Sequence, residues 1–160
     1  MTRRLAVLGL ICMLAAVIAG AAQSFASRGD CGPGLCLSTP PGWSNSVGLG
    51  VVNSRKAAWL LLGDFWFPPD AAGHEGGPSV PAGKILISIG DFPVVAAFAH
   101  WRRVRRLRLP QRSTTKRAVS WHVRFAGRAV FLRVNFGSTP SPRARRLASA
   151  RLLAIHRNQH

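Results

Sequence analysis

Residues 118–136 read AVSWHVRFAGRAVFLRVNF, two alternating runs joined by Ala126, Gly127 and Arg128. The alternation predicts two paired strands, because successive side chains of a strand point to opposite faces of its sheet. One face is predicted to carry Val119, Trp121, Val123, Phe125, Val130, Leu132, Val134 and Phe136. The opposite face is predicted to carry Ser120, His122, Arg124, Arg133 and Asn135.

Residues 84–90 alternate in the same way, with Ile85, Ile87 and Ile89 on one side, and this pattern predicts a buried strand. Residues 68–83 contain four Pro and four Gly, which predicts a long loop. Weaker strands or apolar runs are expected upstream at residues 35–38, 43–52 and 57–62.

Two helices are expected. The spacing of apolar residues after Pro93 predicts a helix that ends near Arg103, because further turns would bury unpaired arginines. Residues 106–109 then alternate like a short strand. Ser141 and Pro142 are typical of an N-cap and a first helical turn, and they predict a C-terminal helix to about His156.

The chain has 160 residues, of which 48% are apolar, and this composition excludes a disordered protein. Its single long apolar run excludes a polytopic membrane protein. Because predicted strands outnumber helices, we expect an α+β fold: a mostly antiparallel sheet with a C-terminal helix and one short internal helix packed on it. Residues 27–160 are expected to form a single domain.

The first 26 residues are typical of an export signal. Arg3 and Arg4 precede an apolar run over residues 5–22, and Ser24 and Ala26 provide a small-residue cleavage site. Cleavage after Ala26 is preferred over cleavage after Ala21, and general secretion over a twin-arginine route. The alternative is an uncleaved anchor formed by residues 5–22. Both alternatives predict an extracytoplasmic protein, either secreted or held at the cell surface.

Removal of the leader would leave two cysteines, Cys31 and Cys36. An even pair in an exported chain is expected to form a disulfide, which would constrain the N-terminus of the mature protein. The spacing differs from the redox and metal-binding Cys-x-x-Cys motif, so a structural role is favoured.

The charge is distributed unevenly along the chain. The sequence has 22 Lys and Arg against 5 Asp and Glu, a formal net charge of +17. All five acids precede residue 92, and residues 92–160 carry sixteen basic residues and no acid. This asymmetry predicts an anionic partner, and the export signal favours an anionic polymer or lipid headgroup of the cell envelope.

The densest charge lies within residues 102–117, which contain eight basic residues. We expect these to form an anion-binding patch, which Arg124, Arg128 and Arg133 would extend. The alternative is a solvated basic edge that discourages aggregation between strands. Nucleic acid is disfavoured, because Trp101 and Trp121 fall on apolar stripes rather than on a stacking platform. The predicted patch consists of Arg102, Arg103, Arg105, Arg106, Arg108, Arg112, Lys116 and Arg117.

The search for catalytic motifs finds no nucleophile elbow, zinc-protease motif or phosphate-binding loop. Asp64, Asp70, His74 and Glu75 lie in or beside the long loop and raise a second hypothesis, a small secreted hydrolase. Their spacing matches no calcium loop. No catalytic residue, metal site or cofactor is predicted, and His122 is expected to be an ordinary exposed strand residue.

Several short motifs carry a resemblance. They are PPGW at residues 40–43, GKILIS at 83–88, FAGR at 125–128 and VNFG at 134–137, followed by an Ala- and Leu-rich helix. This layout resembles small exported actinobacterial proteins of unknown function. A strand that leads into Pro-Gly-Trp, with a C-terminal helix on an antiparallel sheet, is also similar to PsbP-like domains. The resemblance carries over no catalytic residue.

The sequence therefore predicts a non-enzymatic basic domain that binds an anionic component of the cell envelope or an anionic partner. The alternatives are the small hydrolase and a cationic effector that acts on membranes.

Mass spectrometry of the protein recovered from its producing cells tests the export prediction. We expect a chain that begins at Ser27 and has no free thiol, because signal cleavage removes Cys12 and the remaining cysteines pair. A chain that retains its first 26 residues and has reactive thiols at Cys31 and Cys36 would contradict export.

Overall fold

The computed structural model describes residues 31–73, 77–111 and 116–158. A five-stranded antiparallel sheet has the order β2-β3-β4-β6-β5, and β1 and β7 form a separate two-stranded sheet. The α+β fold expected from the sequence is confirmed. The strands are β1 (Leu35–Cys36), β2 (Ser44–Val52), β3 (Arg55–Gly63), β4 (Leu86–Pro93), β5 (Ala118–Phe125), β6 (Arg128–Asn135) and β7 (His156–Arg157). The helix is α1 (Pro142–Leu153), and single 3₁₀ turns occur at Ala71–Gly73 and Ala96–Phe98.

The central strand is β4, and both of its faces are covered. Ile87 and Ile89 are fully buried on one side, while Leu86 is buried on the other. The alternation predicted for residues 84–90 is therefore correct, although the strand itself begins at Leu86 and continues to Pro93.

The two faces of the five-stranded sheet are covered differently. The main face, which carries Ile87 and Ile89, packs against α1, β1 and Leu107 in one large core. The second face holds two smaller clusters, one around Phe92 and Trp101 and the other around Leu61 and Phe67. Elements that cover the main face and elements that cover the second face therefore lie on opposite sides of the sheet.

The hairpin predicted over residues 118–136 is confirmed with its faces, since Val119 pairs with Val134 and Val123 with Val130. The turn is shorter than expected and contains two residues, Ala126 and Gly127, with φ of 52° and 79°. Two positive φ angles match the right-handed twist of a two-residue hairpin. Arg128 consequently belongs to β6 rather than to the turn.

The C-terminal helix begins as predicted. Pro142 occupies the first turn, and the Ser141 Oγ accepts a hydrogen bond of 3.1 Å from the Ala144 amide. The helix ends at Leu153, earlier than the predicted His156, because His156 pairs with Cys36 in the two-stranded sheet. Strand pairing with the N-terminal segment thus ends the helix.

The helix predicted from Pro93 to Arg103 is wrong. Pro93 ends β4, and only the 3₁₀ turn Ala96–Phe98 follows. The apolar spacing reflects aromatic packing instead, since the Phe98 ring lies 4.6 Å from the Trp101 ring and 6.3 Å from the Phe92 ring. The strand predicted over residues 106–109 is also wrong, because this stretch has no strand pairing.

A fully buried carboxylate, Asp91, joins three distant parts of the chain. Its Oδ2 accepts hydrogen bonds from the amides of Gly34 (2.8 Å) and Leu35 (3.2 Å), and its Oδ1 accepts one from the Arg128 Nε (2.5 Å). Arg128 also donates to the Lys56 carbonyl at 2.8 Å. The carboxylate therefore connects β4 to the N-terminal loop, and its arginine partner connects β6 to β3.

The N-terminal loop is closed by the predicted disulfide, with the sulfur atoms of Cys31 and Cys36 at bonding distance, 2.08 Å apart. The Asn158 amide donates to the Gly34 carbonyl, and its side chain donates to the Gly32 carbonyl, both at 2.9 Å. The loop is thus held between the Asp91 carboxylate and the C-terminal residues.

Replacement of the buried carboxylate should be strongly destabilising. We expect Asp91→Leu to lower the free energy of unfolding by about 3–5 kcal/mol, because Arg128 loses its counter-charge. The Asp91→Leu/Arg128→Met double variant should be more stable than the Asp91→Leu single variant, since it leaves no unpaired charge. Urea unfolding followed by circular dichroism measures both, with Arg133→Met as the exposed control.

An ordinary surface substitution changes the free energy of unfolding by about 0.5 kcal/mol or less. A change that small for Asp91→Leu would contradict this role of Asp91.

Candidate anion-binding surface

Residues 102–111, here called the edge segment, wrap around the free edge of β5. Trp101, just before the segment, is buried with the aromatic cluster of the second face. Leu107 is 1% exposed and belongs to the core of the main face. Between them the Val104 amide donates to the Arg124 carbonyl at 2.9 Å, and the Arg124 amide donates to the Arg102 carbonyl at 2.8 Å. The segment therefore passes from one face of the sheet to the other around β5.

This path sets the direction of the charged side chains. Val104, Leu107 and Leu109 pack toward the core of the main face, and the arginines between them project into solvent. Unpaired arginines are strongly disfavoured in a core, which accounts for the outward orientation. The exposed arginines of the edge segment are Arg102, Arg103, Arg105, Arg106 and Arg108.

The structure brings together five of the eight residues of the predicted patch. Arg112 lies outside the described residues. Lys116 and Arg117 are exposed, and the Arg117 carbonyl accepts a hydrogen bond of 2.8 Å from the Phe136 amide. They precede Ala118 at the start of β5, about 20 Å along the strand from Arg124 at a rise of about 3.3 Å per residue.

The three arginines expected to extend the patch do not do so. The Arg128 side chain is 18% exposed and paired with Asp91. Arg124 donates from Nη1 to the Ala99 carbonyl at 3.0 Å. Arg133 is exposed, but it pairs across the sheet with Ser88 and Ser120 and lies on the second face.

Other arginines, which the sequence analysis did not assign to the patch, lie on the same side as the edge segment. Helix α1 and strand β7 belong to the layer that covers the main face, and the edge segment joins this layer from Val104 onward. We call these three elements the basic layer; they contain ten arginines and no acid. The arginines outside the edge segment are Arg143, Arg145, Arg146, Arg151 and Arg157.

The amphipathic pattern of α1 could have revealed this second group. Ala148 and Leu152 are buried against the sheet, so Arg143 and Arg146 are exposed on the outer side of the helix. Arg151 is half-buried and lies over the Trp43 ring, 5.4 Å from its centroid, in a cation–π contact.

The three described acids, Asp64, Asp70 and Asp91, all lie outside the basic layer. The Asp64 Oδ1 accepts a hydrogen bond of 2.6 Å from the Ile85 amide, which fixes the end of β3 against the start of β4. Asp91 is buried with Arg128. Asp70 is exposed beside the Ala71–Gly73 turn, which packs on the second face. The three elements of the basic layer therefore contribute no acidic side chain.

The edge segment and β5 enclose an open groove of about 660 Å³. Its apolar lining includes Val104, Leu107, Leu109, Trp121 and Val123. The five exposed arginines of the edge segment also line it. The groove therefore brings exposed cationic side chains and apolar side chains together.

The hydrolase hypothesis remains a prediction. His74 and Glu75 lie outside the described residues, and Asp64 already accepts a hydrogen bond from the Ile85 amide, just before β4. Among the described residues no group of three His, Cys, Asp or Glu side chains is placed to hold a metal ion. His122 is exposed, with its ring 4.5 Å from the Trp101 ring.

The aromatic triplet at residues 65–67 divides between core and solvent. Phe67 is buried with Leu61 and Leu86, and the Phe65 ring packs edge-on against it at 5.5 Å. Trp66 is 79% exposed.

Within the part of the chain that the structure describes, no helix has the length and apolar character needed to cross a bilayer.

Comparisons with known proteins give no match: no family model, no curated protein and no solved structure matches this chain. The resemblance to small exported actinobacterial proteins and to PsbP-like domains stays a prediction. The function must therefore be inferred from the site itself.

Proposed function

We propose that this protein is an exported, non-enzymatic domain that docks on an anionic component of the cell envelope through its basic layer. The observation that carries the proposal is the edge segment, which exposes five arginines within a layer of ten and without any acid. Such a surface concentrates positive potential on one side of the molecule and attracts polyanions.

Arginine suits this role chemically. A guanidinium is planar, always charged and less strongly hydrated than an ammonium group, and it binds phosphate or carboxylate oxygens through two parallel hydrogen bonds. All ten basic residues of the basic layer are arginines. The surface is therefore suited to phosphate, sulfate or carboxylate groups.

The backbone that carries the arginines of the edge segment is anchored to the sheet. Two backbone hydrogen bonds join Arg102 and Val104 to β5, and Leu107 is anchored in the main core. Binding to a segment that is already ordered costs less conformational entropy than binding to a flexible basic tail. This order supports a docking role over a purely solvating one.

The proposed location rests on two features of the N-terminal region. Residues 1–26 have the order of charged, apolar and small residues typical of an export signal. Cys31 and Cys36 lie at disulfide distance, and disulfides persist in oxidising compartments outside the cytoplasm.

Co-sedimentation with phosphatidylglycerol vesicles tests the proposed function. We expect binding at about 50 mM salt and release at about 500 mM, because salt screens exposed charges, and no binding to neutral phosphatidylcholine vesicles. Replacing Arg103, Arg105, Arg106 and Arg108 by Gln should weaken binding about tenfold to hundredfold, which corresponds to about 0.3–0.7 kcal/mol for each of the four exposed contacts.

The matched control replaces four exposed basic residues outside the basic layer, and thus makes the same change in net charge. Its binding should stay within about threefold of the unsubstituted protein, since at about 50 mM salt long-range attraction alone is screened within about 14 Å. Equal losses in the two variants, or retention that does not depend on salt, would contradict the proposed site. Leakage of dye from the vesicles would favour a membrane-active effector. The control positions are Arg55, Lys56, Lys84 and Arg133.

A further inference from the structure

The groove beside the edge segment offers two kinds of surface to one occupant. Its volume, about 660 Å³, falls in the range of about 300–1,000 Å³ that is common for small-molecule sites. Among the residues that line it, Arg105, Arg106 and Arg108 are exposed, and Trp121 and Leu109 are half-buried.

The apolar interior is not explained by the docking of a simple polyanion. A phosphate- or carboxylate-bearing polymer would contact the arginines and leave Trp121 and Leu109 in contact with water. An occupant with a hydrocarbon part would cover these side chains and gain the hydrophobic contribution as well. The occupant that fits both surfaces therefore carries an anionic group and an apolar chain.

We propose that the groove binds a single anionic amphiphile, a molecule with one phosphate or carboxylate headgroup and a hydrocarbon chain. The headgroup lies among Arg105, Arg106 and Arg108, and the chain lies along Leu109, Trp121 and Val123. This inference rests on the proposed function, because the same arginines bind the headgroup, and it specifies the ligand class.

The backbone of the edge segment supports a groove that is present before the ligand arrives. The Val104 amide is bonded to the Arg124 carbonyl at 2.9 Å, and Leu107 is fixed in the main core. One wall is therefore tied to β5 itself, and Val123 on that strand is also buried. A preformed groove lowers the entropic cost of binding.

Calorimetric titration with dodecyl phosphate, below the concentration at which it forms micelles, tests the inference. Two controls separate the contributions: inorganic phosphate lacks the chain, and dodecyl maltoside lacks the charge. We expect dodecyl phosphate to bind at least about tenfold more tightly than either control, because only it uses both surfaces.

Two pairs of variants locate the binding site. Leu109→Gln should weaken dodecyl phosphate binding at least about fivefold through the lost apolar contact, while Leu153→Gln on the exposed side of α1 should not change it. The double variant Arg105→Gln/Arg106→Gln should weaken dodecyl phosphate binding but not the weak binding of dodecyl maltoside. Its matched control is Arg55→Gln/Lys84→Gln, and this second pair decides the result if Leu109→Gln fails to fold.

The outcomes separate this inference from the proposed function. Equal affinities for inorganic phosphate and dodecyl phosphate, with no effect of Leu109→Gln, would overturn the amphiphile site and leave anion docking intact. Equal affinities for dodecyl maltoside and dodecyl phosphate would also overturn the amphiphile site, because they would show nonspecific apolar binding without a contribution from the charge. Binding of dodecyl phosphate by a protein that does not bind phosphatidylglycerol vesicles would support the groove and contradict docking on a lipid surface.

Discussion

The buried carboxylate of Asp91 is the interaction on which the arrangement of the chain depends. It accepts hydrogen bonds from the amides of Gly34 and Leu35 and from the side chain of Arg128, partners that lie 57, 56 and 37 positions away. A carboxylate that is 0% exposed is tolerated only when it is paired in this way. The N-terminal disulfide loop, the central strand and the start of β6 are therefore held in one arrangement.

The same pairing contributes to the charge asymmetry of the surface. Asp91 is paired with Arg128 inside the protein, and Asp64 accepts a hydrogen bond from the Ile85 amide just before β4. The arginines of the basic layer thus have no acid in their own layer. The path of the edge segment has two consequences. It occupies the free edge of β5 at Arg124, which limits strand addition by other chains there. It also places arginines beside an apolar groove. Protection of the sheet edge and the proposed ligand binding thus involve the same segment.

Local signals in the sequence predict some of the structural elements correctly and others wrongly. The hairpin, the buried side of β4 and the Ser141 N-cap were predictable because each depends on residues close together in the chain. The helix after Pro93 was predicted wrongly, because Phe98 and Trp101 have helical spacing but pack on the aromatic cluster of the second face. Tertiary packing determined the outcome there, as it often does for short apolar runs.

Some parts of the candidate site can be predicted from the sequence, and others cannot. The arginines of the edge segment are identified from the sequence because they are dense there, and the structure exposes all five, while the anion binding itself stays a prediction. The partner of Arg128 and the contribution of α1 could not be inferred, because they depend on the register of β4 against β6 and on the packing of the helix. The groove was not predictable either, since Trp121 and Leu109 meet only when the edge segment folds around β5.

The central claim is that anions are bound on the side of the sheet that carries the basic layer. The most direct measurement is an NMR titration of isotope-labelled protein with inorganic polyphosphate, with the amide shifts assigned residue by residue. The account predicts shifts along residues 102–111 and on α1, and unchanged signals for Ser88, Ser120 and Arg133 on the second face. Shifts concentrated on the second face, or an equal change over the whole surface, would contradict it.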